Sequence, residues 1–295
     1  MSRVHQAIRR AEKENREEPL SDPSSRKIPL QSLRQEIPAI LEPPPKSVGS
    51  PYFHGGAPVH SEPPRNALPV IHDARLVALS APKSLPSEQY RTLKTKLFQM
   101  RNSGSLRSVL VTSAAASDGK TLTAVNLALT IAQEIEQRVL LVDCDLRRPS
   151  VHKALGFPKT DGLADFLSQE MDWSSVVLST SIPNLCVIPA GTVPDNPAEL
   201  LNTQKMREFL SSISHQFDWV IIDSPPIVPL ADAELLSSLV DGTLLVVRAC
   251  KTPAESVTKA VQALKNGKIL GVVFNGAQAS KKSGYYYYSY GSSEA

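Results

Sequence analysis

The sequence predicts an α/β fold in which a mostly parallel sheet carries helices on both faces. Short, uninterrupted apolar runs alternate along the chain with longer segments of helical character. A turn containing glycine and lysine, which suits phosphate binding, directly follows the first strong run. Uninterrupted apolar strands are buried on both faces, and the crossover helices of a parallel sheet supply that cover.

Six apolar runs predict the strands of this sheet. They span residues 108–113, 139–143, 185–188, 219–223, 243–248 and 269–274. Helices are expected from about 119 to 134 and near 203–215, 231–239 and 253–266. Ligands of such sheets bind beyond the carboxyl ends of the strands, so those ends are where functional residues are expected.

Composition divides the chain into three parts. Half of the 24 prolines fall before residue 70, and residues 1–68 are expected to be largely disordered because they offer little apolar surface to bury. Val4, Ile8 and Ala11 recur at helical spacing and predict a short amphipathic helix within that part. Residues 69–280 are expected to form the catalytic domain, and residues 281–295 a flexible tail.

Charge and hydropathy restrict the possible partners and location. With 32 basic and 29 acidic residues the net charge is +3, which gives no indication of a nucleic-acid partner. No run is long enough to span a membrane and the start lacks an apolar signal core, so a cytoplasmic location is expected. The cysteines Cys144, Cys186 and Cys250 lack zinc-site spacing and are interpreted as reduced core thiols.

The turn after the first strand reads Ser113-Ala-Ala-Ala-Ser-Asp-Gly-Lys-Thr121 and has the form of a Walker A loop. Such a loop turns backbone N–H groups toward phosphates at a helix N-terminus, with Lys120 neutralising charge and Thr121 binding Mg²⁺. It predicts a P-loop NTPase-like fold that binds ATP with Mg²⁺. Ala114 replaces the usual first glycine and requires a negative φ there. The predicted nucleotide-binding residues of the loop are Ser117, Asp118, Gly119, Lys120, Thr121 and Leu122.

Two further strands end in acidic residues. The second strand leads into Asp143-Cys-Asp145-Leu-Arg147, and the strand at 219–223 ends in Asp223 in the manner of a Walker B motif. Parallel strand ends lie at one sheet edge, so these carboxylates are expected beside the phosphates, where they can bind Mg²⁺ or accept a proton. A single strand-end aspartate is more often a turn or cap residue; their joint placement favours catalysis.

With these motifs, the sequence from about residue 70 onward resembles the bacterial tyrosine kinases (BY-kinases) of capsular and exopolysaccharide synthesis. The segment from Gly191 to Leu201 also resembles that family's G-x-x-P-x-N-P-x-E-L-L stretch. The resemblance implies protein-tyrosine kinase activity, regulation of polysaccharide export, and a membrane-bound activator of the polysaccharide co-polymerase type that recruits the chain to the inner face of the membrane.

The same resemblance implies roles for individual residues. Asp143 would be the base that activates tyrosine, and Thr121, Asp145 and Asp223 would organise magnesium. Lys120, Asp145 and Arg147 would complete the catalytic set. Asn275, at the end of the last strand, would contact adenine, although a strand-end turn residue is an equally good interpretation.

A predicted helix before the P-loop carries Glu88, Arg91 and Lys94 on one face. It resembles the E-x-x-R-x-x-R helix through which BY-kinases form rings, with lysine in place of the last arginine. The resemblance implies a homo-oligomeric ring. A solvated helix face with internal ion pairs is the alternative.

The C-terminal end holds five of the seven tyrosines of the chain. They are nearly consecutive and flanked by glycine and serine, which predicts an accessible segment rather than part of a core. Autophosphorylation is therefore predicted at Tyr285, Tyr286, Tyr287, Tyr288 and Tyr290. The alternative is an aromatic low-complexity end that binds a partner.

Two other functions share the P-loop. Partition and septum-positioning ATPases have an early lysine in a K-G-G-x-G-K-T loop, where this chain has Ala115. A nucleotide-binding adaptor of a polysaccharide co-polymerase without kinase activity is the second alternative. The ATPase switch does not need the tyrosine cluster, which favours the kinase over it, whereas Ala114 and Lys94 leave the adaptor open.

Overall fold

The computed structural model describes residues 73–277, which form a seven-stranded sheet with helices on both faces. The strand order is β3-β4-β2-β5-β1-β6-β7, and every pair is parallel except β3 with β4. The strands are β1 (Ser108–Ser113), β2 (Val139–Asp143), β3 (Leu178–Ser179), β4 (Leu185–Ile188), β5 (Trp219–Asp223), β6 (Gly242–Arg248) and β7 (Ile269–Asn275).

Nine α-helices lie within the described residues. They are α1 (Val77–Ser80), α2 (Leu85–Asn102), α3 (Lys120–Ala132), α4 (Val151–Leu155), α5 (Leu163–Ser168), α6 (Pro197–Leu201), α7 (Gln204–Gln216), α8 (Asp232–Ser237) and α9 (Ala254–Ala263). Short 3₁₀ turns occupy Trp173–Val176 and Leu264–Asn266. The helix α3, buried along most of its length, packs against β1, β2 and β5.

The predicted α/β fold is confirmed, and all six predicted strands are present within one residue of their expected bounds. The strand β3 and several short helices were not predicted, because a two-residue edge strand and helices of four to six residues show no periodic pattern. The predicted parts 1–68 and 281–295 lie outside the described residues, as does the expected N-terminal helix.

Two apolar clusters, one on each face of the sheet, hold the strands in register. The largest side chain in the core, Trp219, is fully buried and stacks on Phe98 of α2 with ring centroids 5.1 Å apart. Arg101 lies over the same indole at 5.2 Å from the ring centroid. The helix before the P-loop is thereby attached to the central strand β5, whose last residue enters the site.

Strand pairing determines which side chains meet at the carboxyl edge. Asp143 at the end of β2 pairs in register with Asp223 at the end of β5, and Val111 of β1 pairs with Asp223 on the other side. The loop after β1 therefore emerges next to both aspartates. Buried central strands fix this alignment, because a shift of one residue would turn every side chain to the opposite face.

The cysteine interpretation needs a correction. Cys144 is buried, Cys186 is half-buried and Cys250 is exposed, and all three are free thiols. Cys250 adopts a positive φ of 58° in the turn after β6, so it is a turn residue and not part of the core.

Among residues 73–277 no helix combines the length and apolarity that crossing a membrane requires.

The predicted ring-forming face of α2 makes internal contacts. Arg91 pairs with Glu88 and also donates to the carbonyl oxygen of Pro82 at 2.9 Å. Lys94 pairs with Glu134 after α3, and its side chain is only 14% exposed. These are the internal ion pairs of the alternative interpretation, and ring formation through this face stays a prediction.

Candidate active site

The loop after β1 has the geometry of an anion-binding turn. Gly119 occupies the cap position of α3 with φ of 98°, a left-handed conformation that favours glycine. Ser117 also has a positive φ, of 65°, and its carbonyl oxygen accepts a hydrogen bond from Arg248 at 3.1 Å. Ala114 is buried and is not among the residues with positive φ, so the condition for alanine at this position is met.

Two residues that were predicted to bind the nucleotide, Asp118 and Asn275, instead form hydrogen bonds within the protein through their side chains. The carboxylate of Asp118 accepts hydrogen bonds from the Ala115 amide at 2.9 Å and the Thr252 hydroxyl at 2.7 Å. The Asn275 amide donates to the carbonyl oxygen of Asp118 at 2.8 Å. Neither residue lines the cavity over the loop, and nucleotide binding by Asp118 stays a prediction. The adenine contact of Asn275 stays a prediction.

Replacing Gly119 by alanine should weaken ATP binding by one to two orders of magnitude. A Cβ at this position would lie 1.9 Å from Nδ2 of Asn275. The residue would also be held at a positive φ, and strain of this kind costs about 1–3 kcal/mol. Titration with a fluorescent ATP analogue measures the effect.

Gly276→Ala is the matched control, because Gly276 has a positive φ of 70° but open space around its Cβ position. Equal affinities for the Gly119→Ala and Gly276→Ala proteins would contradict the steric argument.

Lys120 and Thr121 pair with aspartates that follow or end the strands β2 and β5. The Lys120 ammonium donates to Oδ2 of Asp145 at 2.7 Å, and the Thr121 hydroxyl donates to Oδ2 of Asp223 at 2.7 Å. Burial would lower the pKa of Lys120, but the charges of Asp223 and Asp145 outweigh burial and raise it. Lys120 is therefore a permanent cation at the loop.

Asp143 is the most enclosed of the acidic residues at this edge. It is fully buried, and its carboxylate accepts three backbone N–H bonds, from Asp145 and Ser150 at 3.1 Å and from Val151 at 3.0 Å. Burial, and then the charge of Asp223, raise the pKa of Asp143. The three backbone hydrogen bonds lower that pKa, but by less. Asp143 thus shapes the loop from 144 to 150, and its side chain does not line the cavity in this conformation.

The Walker B aspartate has an acceptor that no protein group uses. Oδ1 of Asp223 is buried and has no hydrogen-bond partner within the described part of the chain. Burial raises the pKa of Asp223, while Lys120 and Thr121 act in the opposite direction. An unpaired buried carboxylate oxygen is costly unless a cation or water binds it, so Thr121 and Asp223 fit a hydrated Mg²⁺.

The described part of the chain does not supply a complete set of metal ligands by itself. Within residues 73–277 no group of three or more His, Cys, Asp or Glu side chains is arranged to hold an ion. Mg²⁺ commonly keeps several waters and takes one or two carboxylates together with substrate phosphates. The residues present fit that kind of site, with most ligands coming from phosphate and water.

Arg147 forms a two-point ion pair that the sequence did not indicate. Its Nε and Nη2 donate to the two oxygens of Asp232 at 2.7 and 3.0 Å. Asp232 opens α8 and its side chain is 1% exposed, whereas that of Arg147 is 37% exposed. Arg147 therefore connects the acidic loop to α8, and the side chain also borders the cavity.

Asp232→Asn should lower the free energy of unfolding by about 1–3 kcal/mol, because one buried acceptor is lost from a charged pair. Urea denaturation measures this. Asp161→Asn, at an exposed position, is the control and should change stability little. If both variants were as stable as the original protein, the pair would contribute nothing to the fold.

A cavity of about 550 Å³ lies over the loop. Its walls come from three sources: the P-loop, the loop after β2, and a proline-rich turn after β5. The lining residues are Ala116, Ser117, Gly119, Lys120, Thr121, Leu122, Asp145, Arg147, Arg148, Ser150, Pro225, Pro226, Val228, Pro229 and Leu230. Ser117 and Leu122 line this cavity, and their contact with a nucleotide stays a prediction. Arg148, Ser150 and the prolines also line it and were not among the predicted residues.

The predicted acceptors Tyr285, Tyr286, Tyr287, Tyr288 and Tyr290 lie outside the described residues. The structure therefore supplies the site but leaves its use of the tail as a prediction.

Known proteins share both the sequence and the fold. Residues 111–266 match the family model described as an AAA domain. The chain is 40% identical over 215 residues to the tyrosine-protein kinase YwqD of Bacillus subtilis, a match that covers 72% of this chain and 90% of that protein.

Solved structures agree with this match. The kinase domain of the Escherichia coli tyrosine kinase ETK is similar with a TM-score of 0.66 and 31% identity, over 72% of this chain and 84% of that one. The septum site-determining protein MinD of Pyrococcus horikoshii OT3, in complex with Mg-ADP, is similar with a TM-score of 0.50 and 23% identity, over 57% and 70%. That second likeness concerns the fold alone.

Proposed function

Since the chain belongs to the bacterial tyrosine kinases, we propose that it transfers the γ-phosphoryl group of ATP to the tyrosine cluster at its own C-terminal end. One observation carries the proposal. In the P-loop, Lys120 is paired with Asp145 from the loop after β2, and Thr121 with Asp223 at the end of β5. Lys120 and Thr121 line a cavity that is open to solvent and bordered by Arg148.

The P-loop is proposed to bind the triphosphate. Ser117, Gly119 and Lys120 line the cavity where the helix α3 begins, and Lys120 adds a full positive charge. A helix N-terminus with such a loop favours phosphate binding. Lys120 now pairs with Asp145, so phosphates would compete with that carboxylate for the ammonium group. ATP binding and the release of Asp145 toward the cavity are therefore coupled.

Thr121, Asp223 and Asp145 are proposed to hold Mg²⁺ with its water. When bound, the ion neutralises charge that develops on the transferred phosphoryl group. The unpaired oxygen of Asp223 is the observation that supports this set.

Transfer is proposed to proceed in line. A tyrosine oxygen bonds to the γ-phosphorus while the bond from that phosphorus to the β–γ bridging oxygen breaks, and ADP leaves. The phenolic proton passes to a carboxylate, for which the resemblance gives Asp143. Because Asp143 is enclosed by three N–H donors, this role requires the loop from 144 to 150 to open when substrate binds. Otherwise Asp145, which lines the cavity, is the carboxylate within reach.

The cellular role is proposed from the resemblance. The kinase would regulate synthesis and export of capsule or exopolysaccharide, and a membrane-bound activator of the polysaccharide co-polymerase type would recruit it to the inner face of the membrane. A homo-oligomeric ring would place each tail near a neighbouring site.

One incubation separates the kinase from its alternatives. Purified full-length protein is mixed with Mg·ATP, with and without a candidate activator, and both free phosphate and phosphotyrosine are quantified. A kinase yields phosphotyrosine, a partition-type ATPase releases phosphate without it, and a binding adaptor yields neither. Either of the last two results would overturn the proposed function.

A further inference from the structure

A second cavity, of about 410 Å³, borders the active site. It shares Arg147, Arg148 and Ser150 with the cavity over the P-loop. Its other walls come from the helix α4, the turn that follows α4, and the segment that begins at Gly191. The mechanism above uses none of these other walls.

The lining of this second cavity is strongly basic. It contains Arg147, Arg148, Lys153, Lys159 and His152, and no Asp or Glu is among its lining residues. Only Arg147 has a carboxylate partner; the side chains of Arg148, Lys153 and Lys159 make no hydrogen bond or ion pair with the rest of residues 73–277. Burial, and then the charges of Lys153 and Lys159, lower the pKa of His152. Uncompensated positive charge on concave walls favours an anion.

We propose that this second cavity is a phosphotyrosine subsite, which holds an already phosphorylated tail tyrosine while the next tyrosine occupies the active site. The inference rests on the proposed function. A phosphotyrosine carries about −1.5 to −2 charges at pH 7 and offers three acceptor oxygens, which suit arginine and lysine donors. Pro189 and the exposed side chain of Val193 supply apolar wall for the ring.

The tail offers several tyrosines that lie close together in the sequence. Tyr285 to Tyr288 are consecutive. In an extended chain, residues two apart point to the same side and are separated by roughly 6.6 Å. The proposal requires one extended segment to present one tyrosine to each of the two cavities, which share Arg147, Arg148 and Ser150. The first phosphate is then added without help from the subsite, and later ones are added faster.

The test follows phosphate addition on the full-length protein by intact mass spectrometry after Mg·ATP is added. In the original protein the second phosphate should be added about fivefold or more faster than the first, so the singly phosphorylated form should not accumulate. In a Lys153→Gln/Lys159→Gln protein the first rate should be unchanged and the advantage should disappear. Lys259→Gln/Lys265→Gln, with the same loss of charge on and just after α9, is the control and should behave like the original.

A binding measurement tests, without catalysis, whether the second cavity binds phosphotyrosine. A peptide of residues 281–295 with one phosphotyrosine is titrated into the full-length protein that has phenylalanine at all five tail positions. It should bind about fivefold or more tighter than the unphosphorylated peptide, and Lys153→Gln/Lys159→Gln should remove that difference. Inorganic phosphate added with the unphosphorylated peptide should not reproduce it.

The outcomes separate the inference from the proposed function. Phosphotyrosine formed at equal rates for all steps, or unchanged by the double variant, would overturn the subsite alone. No phosphotyrosine in any protein would overturn both. If the double variant instead lost binding to anionic lipid vesicles and kept the fast second step, the cavity would be a membrane contact and the inference would be wrong.

Discussion

Replacing Lys120 by methionine should lower tyrosine autophosphorylation by about a thousandfold, the effect expected when a charged group that stabilises the transition state is removed. Lys120 is the basic side chain of the P-loop that pairs with Asp145, and it also faces the charges of Asp223 and Asp143. Without it those carboxylates would repel one another and the incoming phosphates. Incorporation of labelled phosphate from ATP measures the loss.

Two companion variants make the Lys120 result interpretable. Lys120→Arg keeps the charge but changes its shape, and it should retain more activity than methionine does. Lys259→Met removes an exposed lysine of α9 and should leave activity unchanged. A Lys120→Met protein that autophosphorylates at the original rate would show that the P-loop is not the catalytic site.

Changing Tyr285, Tyr286, Tyr287, Tyr288 and Tyr290 together to phenylalanine should abolish autophosphorylation while ATP binding is retained. Phenylalanine keeps the ring and removes only the hydroxyl that accepts phosphate. None of the five substituted residues is among the predicted nucleotide-binding residues. Anti-phosphotyrosine detection and an ATP-binding titration, run on the same preparation, measure the two properties.

The two remaining tyrosines provide the control for this variant. Tyr90 lies in α2, where it is half-buried, and burial raises the pKa of its phenol. Tyr52→Phe should leave autophosphorylation unchanged. Phosphotyrosine that persisted in the five-fold variant would place the acceptor elsewhere and contradict the tail assignment.

The fold could be predicted because each main strand and helix has a recognisable pattern within its own stretch of sequence. Each central strand is a continuous apolar run that ends at a polar residue, and β2 and β5 end at Asp143 and Asp223 as expected. The short elements could not be predicted, since a helix such as Val151–Leu155 is held by tertiary contacts and not by its own periodicity.

The candidate site was only partly predictable for a related reason. The motif spacing places Lys120, Thr121, Asp145 and Asp223 together, but it does not say which side chains face a ligand. Asp118 turns inward to Thr252, which follows it by 134 residues, and such a contact is set by packing.

The ion pair of Arg147 with Asp232 could not be predicted from the sequence either. Its partner Asp232 comes 85 residues later, and no pattern within either segment indicates the pair. The basic lining of the second cavity also became visible only in three dimensions, because Lys153 and Lys159 are separated along the chain from Gly191, which lines the same cavity.

The most direct test maps phosphate on the terminal peptide, residues 281–295, after the full-length protein and its Lys120→Met variant are incubated with Mg·ATP and a membrane activator. We expect phosphotyrosine on that peptide in the first protein and almost none in the second. A terminal peptide that stays unmodified in the active, activator-bound protein would contradict the assignment of this site to this acceptor.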